Sequence, residues 1–269
     1  MEKIGLLAGV GHLPVECTRA AIEMGCEVYA VGLLDDVDPE LKNVATGYAD
    51  INVAKLGRII DFLKSHDVKK VTAIGKVSKE LLMNGHHELP DWRMIKVLFS
   101  LRDHKDDTIM LKFVDELKKD GMELADQTIL LRGLMPDRSV LTKRKPSDNE
   151  RRDMEFGFRM AKELGRLDVG QTVVVKGQAV MALEAIEGTD ACIRRGGELA
   201  HGGAIVVKVA KPQQDNRFDV PAVGLTTIES MIAARASALA IEANETLVVD
   251  REKMVRLADE HDITIAAIK

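Results

Sequence analysis

The first half of the chain alternates short apolar runs with amphipathic stretches of helical length. Apolar runs at Lys3–Ala8, at residues 27–33 and at Lys70–Ile74 predict buried strands. Helical periodicity at residues 13–24 and 55–66 predicts the helices that connect them. Strands separated by helices of this length form right-handed βαβ units, so we expect an α/β, Rossmann-like N-terminal domain with a parallel sheet.

Two more helices are predicted at residues 91–102 and at Asp106–Lys119. Residues 135–149, rich in Pro, Lys, Arg, Ser and Asp, are interpreted as a linker region. The chain then divides into a Rossmann-like domain over residues 1–134 and a second domain over residues 150–269.

The second half mixes strands and helices. Residues 171–176 and Ala179–Leu183 predict a β-hairpin that turns at Gly177 and Gln178. The same patterns predict helices at residues 149–164, 189–198, 226–238 and 251–260, and strands at residues 204–210, 239–242, 246–249 and 264–268. We therefore expect a mixed α/β fold for the C-terminal domain.

Composition narrows the function classes. The chain has 269 residues, is 46% hydrophobic and 30% charged, and carries a net charge of -5. Scattered cations and an aromatic content of 3% argue against a nucleic-acid-binding protein, which needs a basic face or stacking platforms. Three cysteines without a CxxC pair disfavour a disulfide framework and a zinc site, and favour a reducing cytoplasm.

Membrane signals are weak. The N-terminus lacks a basic start followed by an apolar run, so we expect no secretory signal. No apolar run approaches the roughly 18–20 residues that span a bilayer, and any membrane contact is expected to be peripheral. Residues 91–105 form a basic amphipathic segment that suits either a membrane surface or internal packing, and packing is favoured.

Two glycines lie between the first predicted strand and its helix. Gly9 and Gly11 let a ligand approach the main chain, and the helix start at Leu13 and Pro14 offers unpaired N–H groups. This arrangement predicts a phosphate or nucleotide site, although a tight turn needs glycine as well. Pro14 stands where a dinucleotide fingerprint carries its third glycine, which disfavours NAD.

A second glycine turn, Gly75-Lys76-Val77, follows the predicted strand at Lys70–Ile74. Doubly wound sheets bind ligands beyond the carboxyl ends of their strands, so Gly11 and Gly75 are expected at one rim. Lys76 would contact a phosphate there as a point charge; the alternative is a solvated loop lysine.

Three acids recur at intervals of three: Glu184, Glu187 and Asp190. A helical turn would place them on one face, where like charges need a cation to neutralise them. Oxygen ligands of this kind suit a hard divalent cation. The alternative is an ordinary helix start at Gly188 and Thr189, since the helix dipole favours acids there.

Residues 211–224 carry an alternating row of acid, base and acid. In an extended chain Asp215, Arg217 and Asp219 project to one side, which suits a metal ion and a phosphate. The alternative is a structural loop held by salt bridges.

Further cations accompany this row. Lys208 precedes it, Lys211 begins it, and Arg194 is a third candidate for a phosphate contact. Arginine is suited to bidentate phosphate binding.

Together these motifs resemble the UDP-2,3-diacylglucosamine pyrophosphatases of the lipid A pathway, of the two-domain type that is unrelated to the calcineurin-like enzymes. The resemblance runs nearly the full length and rests on Gly9-x-Gly11-x-Leu13-Pro14, Gly75-Lys76-Val77, Leu167-Asp168-x-Gly170-Gln171-x-Val173-Val174, Glu184-x-x-Glu187-Gly188-Thr189-Asp190 and Lys211-Pro212-x-x-Asp215-x-Arg217-x-Asp219-x-Pro221-x-x-Gly224. The sequence departs from the family at Lys105, where members tend to carry glycine before two acids.

The resemblance implies hydrolysis of UDP-2,3-diacylglucosamine to UMP and 2,3-diacylglucosamine 1-phosphate (lipid X). It implies a divalent metal, Mg²⁺ or Mn²⁺, and a cytoplasmic enzyme at the inner membrane, with a homodimer as the expected assembly. The N-terminal domain would bind the nucleotide and the C-terminal domain would be catalytic.

Residue roles follow from this resemblance. Carboxylates among Asp215, Asp219, Glu184 and Glu187 would hold the metal, and Asp219 is the first candidate for an essential acid. Arg217 and Lys211 would stabilise charge on the phosphoryl oxygens, with Lys208, Arg194, Gly188 and Thr189 as further substrate contacts. The alternatives are a nucleotide-binding regulatory protein without turnover and an NAD-dependent oxidoreductase.

Overall fold

The computed structural model describes residues 1–75, 77, 89–100, 106–126, 131–213, 217 and 220–269, with the main chain alone over residues 106–110. These residues form two compact units. The first unit covers Met1–Leu131 and takes in Arg217, and the second covers the rest of the described chain.

The first unit contains a five-stranded parallel sheet of order β3-β2-β1-β4-β5. Its strands are β1 (Lys3–Ala8), β2 (Glu27–Gly32), β3 (Gly47–Asp50), β4 (Lys70–Ile74) and β5 (Glu123–Leu124). Its helices are α1 (Leu13–Glu23), α2 (Leu41–Val44), α3 (Leu56–Ser65), α4 (Trp92–Phe99) and α5 (Asp106–Lys119). The Rossmann-like architecture expected for this half is confirmed.

The path of the chain through this sheet creates a switch point. From β1 the chain runs outward to β2 and β3, and then returns to place β4 on the other side of β1. Crossover helices leave in opposite directions at such a point, which opens a crevice beyond the carboxyl ends of the two strands.

The second unit contains a six-stranded mixed sheet of order β6-β13-β11-β9-β7-β8, and a separate parallel pair formed by β10 and β12. The strands are β6 (Ser139–Val140), β7 (Thr172–Lys176), β8 (Ala179–Leu183), β9 (Ile205–Lys208), β10 (Ala222–Val223), β11 (Ala238–Glu242), β12 (Leu247–Val248) and β13 (Thr264–Ile268). The helices are α6 (Asp148–Arg166), α7 (Thr189–Ala200), α8 (Leu225–Ala233) and α9 (Arg251–Glu260), with a short 3₁₀ helix at Arg132–Leu134. The mixed α/β fold expected here is confirmed.

Local chemistry accounts for the boundaries of several elements. Ser147 caps α6 through a capping box with Glu150, which satisfies otherwise unpaired N–H groups at the helix start. Gly177 and Gln178 have φ values of +59° and +56°, as a two-residue hairpin turn between β7 and β8 requires. The predicted hairpin is therefore present.

Some boundaries differ from the predicted ones. The helix predicted at residues 226–238 ends at Ala233, and Arg235 adopts a left-handed conformation with φ +51°. Ala238 instead begins β11, which lies between β9 and β13 in the core. Thr189 is the first residue of α7, and Gly188 is the N-cap residue of this helix. In the described part of the chain, no helix has both the length and the apolar character needed to cross a bilayer.

Candidate functional site

The two predicted glycine turns of the first unit meet at the switch point. The Gly9 N–H donates to the carbonyl of Ile74, 2.8 Å away. Gly75 has φ +97°, and a Cβ there would lie 2.8 Å from the carbonyl carbon of Gly9. Only glycine fits this close approach of two main chains. We call Gly9, Gly11 and Gly75 the glycine rim.

The start of α1 lies directly beyond this rim. Pro14 is buried in the first turn of the helix, where its missing N–H costs no hydrogen bond. His12 is the N-cap residue and its side chain does not cap the helix. An uncapped helix start beside glycines can accept an anion on its N–H groups.

The His12 side chain is held by Asp38, with 2.7 Å between Nδ1 and Oδ2. This hydrogen bond, with a second from the Glu40 N–H, lowers the pKa of Asp38. The sequence gives no sign of this pair, because Asp38 lies 26 positions away from His12 and no motif connects the two residues. Although Glu40 completes a trio of ligand-type side chains, it pairs with Arg19, so each member already has a partner within the protein.

The second unit brings together three of the predicted site residues. The Thr189 hydroxyl donates to Oε1 of Glu184 at 2.7 Å. The Lys208 ammonium donates to the same hydroxyl at 3.2 Å and to the carbonyl of Ala222 at 2.9 Å. Glu184 and Lys208 are each only 8% exposed. We call Glu184, Thr189 and Lys208 the Glu–Thr–Lys cluster.

Sheet register assembles this cluster. Thr172 on β7 pairs with Lys208 on β9, and the N–H of Glu184 donates to the Thr172 carbonyl just beyond the end of β8. Gly170 makes this approach possible, because a Cβ at that position would lie 2.3 Å from the Glu184 carbonyl oxygen. The turn then closes through Gly188, whose φ of +79° favours glycine.

Gln171 adds a feature that the sequence did not reveal. Its main-chain N–H donates to Oε2 of Glu184 at 3.2 Å. Its side-chain Oε1 is buried and has no hydrogen-bond donor among the described residues. Buried polar atoms are almost always paired, so an oxygen without a donor in the described structure calls for a partner from outside the chain. A hydrogen-bond donor of a ligand or a cation would be such a partner.

The three acids of the 184–190 segment do not share a face. Glu187 pairs with Arg195 at 2.6 Å, and this contact lowers the pKa of the carboxyl group. Asp190 accepts a hydrogen bond from Ser230, which in turn accepts one from Arg194. Glu184 lies outside α7 in the Glu–Thr–Lys cluster, so each acid has a different set of partners.

The remaining predicted residues have varied positions. Lys211 pairs with Asp168 at 2.8 Å. Val77 is exposed, and Arg217 is partly buried. The other predicted site residues, Lys76, Asp215 and Asp219, lie outside the described residues, as does Lys105.

Cys192 lies on α7 close in sequence to the cluster, but it is fully buried. Burial raises the pKa of its thiol to about 12, so it remains protonated at neutral pH. It acts as a core residue of the second unit.

Comparison with known proteins supplies the family. The model of the LpxI N-terminal domain matches residues 3–134, and that of the LpxI C-terminal domain matches residues 137–266. UDP-2,3-diacylglucosamine pyrophosphatase LpxI of Caulobacter vibrioides is 32% identical over 100% of this chain and 98% of its own length. The chain belongs to the LpxI family.

Membership of the LpxI family confirms the resemblance inferred from the motifs. The glycine rim lies within the matched LpxI N-terminal domain, and the Glu–Thr–Lys cluster lies within the matched LpxI C-terminal domain.

Two solved structures that match part of this chain are much less similar to it in sequence. The ADP complex of purK, an N5-carboxyaminoimidazole ribonucleotide synthetase, is 17% identical over 65% of this chain and 32% of its own, with a TM-score of 0.29. Biotin carboxylase from Campylobacter jejuni is 14% identical over 74% of this chain and 42% of its own, with a TM-score of 0.30. The chain spans less than half of either protein, and similarity at this level carries no argument about function.

Proposed function

We propose that this protein hydrolyses the diphosphate of UDP-2,3-diacylglucosamine to UMP and 2,3-diacylglucosamine 1-phosphate. The observation that carries the proposal is the full-length match to a relative that is named for pyrophosphatase activity on this substrate. The alternative of a regulatory protein without turnover leaves the Glu–Thr–Lys cluster and the Gln171 oxygen unexplained.

The glycine rim supports nucleotide binding in the first unit. Close main-chain approach at Gly75 and an uncapped α1 start suit a phosphate group of the substrate. The first turn of α1 contains proline where an NAD fingerprint has its third glycine, which favours a uridine nucleotide over NAD.

The donor set near Glu184 suits Mg²⁺ or Mn²⁺. Glu184 is a buried carboxylate that accepts hydrogen bonds from a hydroxyl and a main-chain N–H. The side chain of Gln171, whose main-chain N–H contacts Glu184, adds a neutral oxygen that has no donor among the described residues. Glu184 would hold the ion together with one or both of Asp215 and Asp219. Glu187 is the weaker candidate because Arg195 already neutralises it. When bound, the ion would neutralise charge on the diphosphate.

Cations of the second unit would hold the phosphoryl oxygens. Lys208 is fixed by two hydrogen bonds, so little ordering remains to be done when a phosphate binds. Lys211 and Arg194 of the same unit are proposed to contribute further positive charge, and so is Arg217, which belongs to the first unit. Asp219 is proposed as an essential acid, either as a ligand of the ion or as the general base that takes the proton of the attacking water.

The test is UMP release by purified Asp219→Ala enzyme. Loss of a general base lowers turnover by about 10²–10⁴. Glu198→Ala changes an exposed carboxylate on α7 and serves as the control, with turnover expected near that of the wild type. Normal turnover by Asp219→Ala would remove Asp219 from the mechanism.

The same preparation separates the three functional classes. A chelator should abolish UMP release, and added Mg²⁺ or Mn²⁺ should restore it. UMP binding without any release would support a regulatory protein, and NAD binding would support an oxidoreductase. Chelator-insensitive release would overturn the metal proposal while leaving the hydrolase proposal intact.

We further propose peripheral contact with the cytoplasmic face of the inner membrane through α4. Trp92 and Phe99 are 70% and 88% exposed, and Lys96 lies 5.5 Å from the centre of the Trp92 ring. Exposed aromatic side chains beside cations suit an anionic lipid surface. The homodimer remains a prediction, which light scattering of the purified protein would check.

A further inference from the structure

A cavity of about 430 Å³ lies between α6 and the strands β13 and β6 of the second unit. Helix α6 packs on β7, β9 and β11, so it leaves β13 and the edge strand β6 partly uncovered. The volume falls within the range of roughly 300–1,000 Å³ that is usual for small-molecule sites. None of the residues assigned to the Glu–Thr–Lys cluster lines it.

The rim of this cavity is positively charged. Arg151 and Arg159 are about two helical turns apart on α6, and Arg138 lines the cavity from the residue just before β6. All three side chains belong to exposed residues. Their guanidinium groups have no carboxylate partner among the described residues.

The local sequence offers these arginines a partner that they do not use. Glu155 is four residues from both Arg151 and Arg159 on α6, a spacing at which ion pairs commonly form. No such pair is present in the described structure, although other basic side chains of the same unit, such as Arg144 and Lys162, are paired with acids. Among the side chains that line the cavity, three arginines and Lys269 therefore stand against one carboxylate, that of Glu155.

The floor of the cavity is apolar. Met154 and Ala266 are each 2% exposed, and Phe158 and Val140 pack against the same core cluster. A free inorganic anion would use the rim and gain nothing from this floor. An anion with an apolar body would use both, because burying apolar surface and pairing guanidinium groups both favour binding.

We propose that this cavity binds a small amphiphile with a phosphate head group and an alkyl chain. The guanidinium groups of Arg138, Arg151 and Arg159 contact the head group, and the chain lies on Met154 and Phe158. The ligand comes either from free amphiphile or from a phospholipid of a bilayer. The site is separate from the residues proposed for hydrolysis and does not depend on that activity.

Calorimetric titration with dodecyl phosphate below its critical micelle concentration tests the proposal. The wild type should bind, and the double variant Arg151→Gln/Arg159→Gln should bind at least about tenfold more weakly, since two charge-assisted contacts are lost. Arg152→Gln is the matched control, because Arg152 lies on α6 but does not line the cavity. Melting curves confirm that each variant is folded.

The comparison probes decide between ligand classes. Equal affinity for inorganic phosphate or for dodecyl maltoside would overturn an amphiphilic anion site, and so would equal affinity in the double variant or no binding by the wild type. Sedimentation with phosphatidylglycerol vesicles separates the two sources. Vesicle binding that the double variant loses assigns the site to a bilayer phospholipid. Binding of dodecyl phosphate without such a loss assigns it to a free amphiphile.

Discussion

The Thr189 hydroxyl is the centre of the Glu–Thr–Lys cluster, and its removal gives a quantitative test of the site. It donates to Glu184 at 2.7 Å and accepts from Lys208 at 3.2 Å. Thr189→Val keeps the shape of the side chain and deletes both contacts. A single hydrogen bond to a charged group contributes about 1.5–3 kcal/mol, so the loss of both should lower the free energy of unfolding by at least that amount.

Thr189→Ser is the matched control, because it retains the hydroxyl and loses only a methyl group, at a cost of about 1 kcal/mol or less. Urea unfolding followed by far-UV circular dichroism measures the difference, since the single tryptophan of the chain, Trp92, lies in the other unit. The valine variant should also release UMP more slowly, because Lys208 and Glu184 lose their common partner. Equal stability of the two variants would refute the reasoning.

Three further predictions concern the first unit. Gly75→Ala places a Cβ 2.8 Å from the main chain of Gly9 at φ +97°, so it should lower the free energy of unfolding by roughly 1–3 kcal/mol and weaken UMP binding. Gly121→Ala is the control, because Gly121 has φ +72° in open space and its substitution measures the cost of the left-handed backbone alone. The hydrogen bond with His12 lowers the pKa of Asp38 below its ordinary 3.8. The stability that this carboxylate adds is therefore present above pH 3.8 and is lost as the pH falls through the lower pKa of the folded state. When the free energy of unfolding is measured against pH, Asp38→Asn should lose less stability in acid than the wild type. Trp92 emission should shift to the blue with anionic vesicles and not with zwitterionic ones, and the absence of any shift would exclude α4 as the contact.

The order of apolar runs and helical segments along the chain is sufficient to predict the fold class. The apolar runs at Lys3–Ala8, Lys70–Ile74 and Ala179–Leu183 coincide with strands, because each lies in the interior or in a hairpin with a clear turn. Strand β3, Gly47–Asp50, was not predicted, since its residues are only partly buried or exposed and their pattern resembles a loop. The hydrogen bonds of β3 to β2 hold it in an extended conformation that its own sequence does not indicate.

Alanine content explains the misplaced end of α8. Residues 226–238 are rich in small helix-forming residues, so local propensity extends the helix to Ala238. In the fold, β11 is completely buried between β9 and β13 and takes Ala238 as its first residue. Burial in a central strand outweighs helix propensity there, and no local window of sequence contains that information.

The chemistry of the side chains is sufficient to identify candidate site residues in the sequence. It does not show which residues contact one another in the fold. Glu184 and Thr189 are close in sequence, so their contact was within reach of a motif. Lys208 joins them through the pairing of β7 with β9, which sequence spacing does not specify. The sequence does not predict the Gln171 oxygen as a site atom, because its exceptional property is that no described residue donates a hydrogen bond to it, which is visible only after folding.

The spacing of Glu184, Glu187 and Asp190 illustrates how a correct chemical premise can lead to a wrong geometry. Three nearby carboxylates do need compensation, and the protein provides it separately, through Arg195 for Glu187 and Ser230 for Asp190. Glu184 is the buried one, and its donors are a hydroxyl and a main-chain N–H. Glu187 and Asp190 each have their own partner, so the carboxylates proposed to join Glu184 at a divalent cation are those of the 211–224 segment, Asp215 and Asp219.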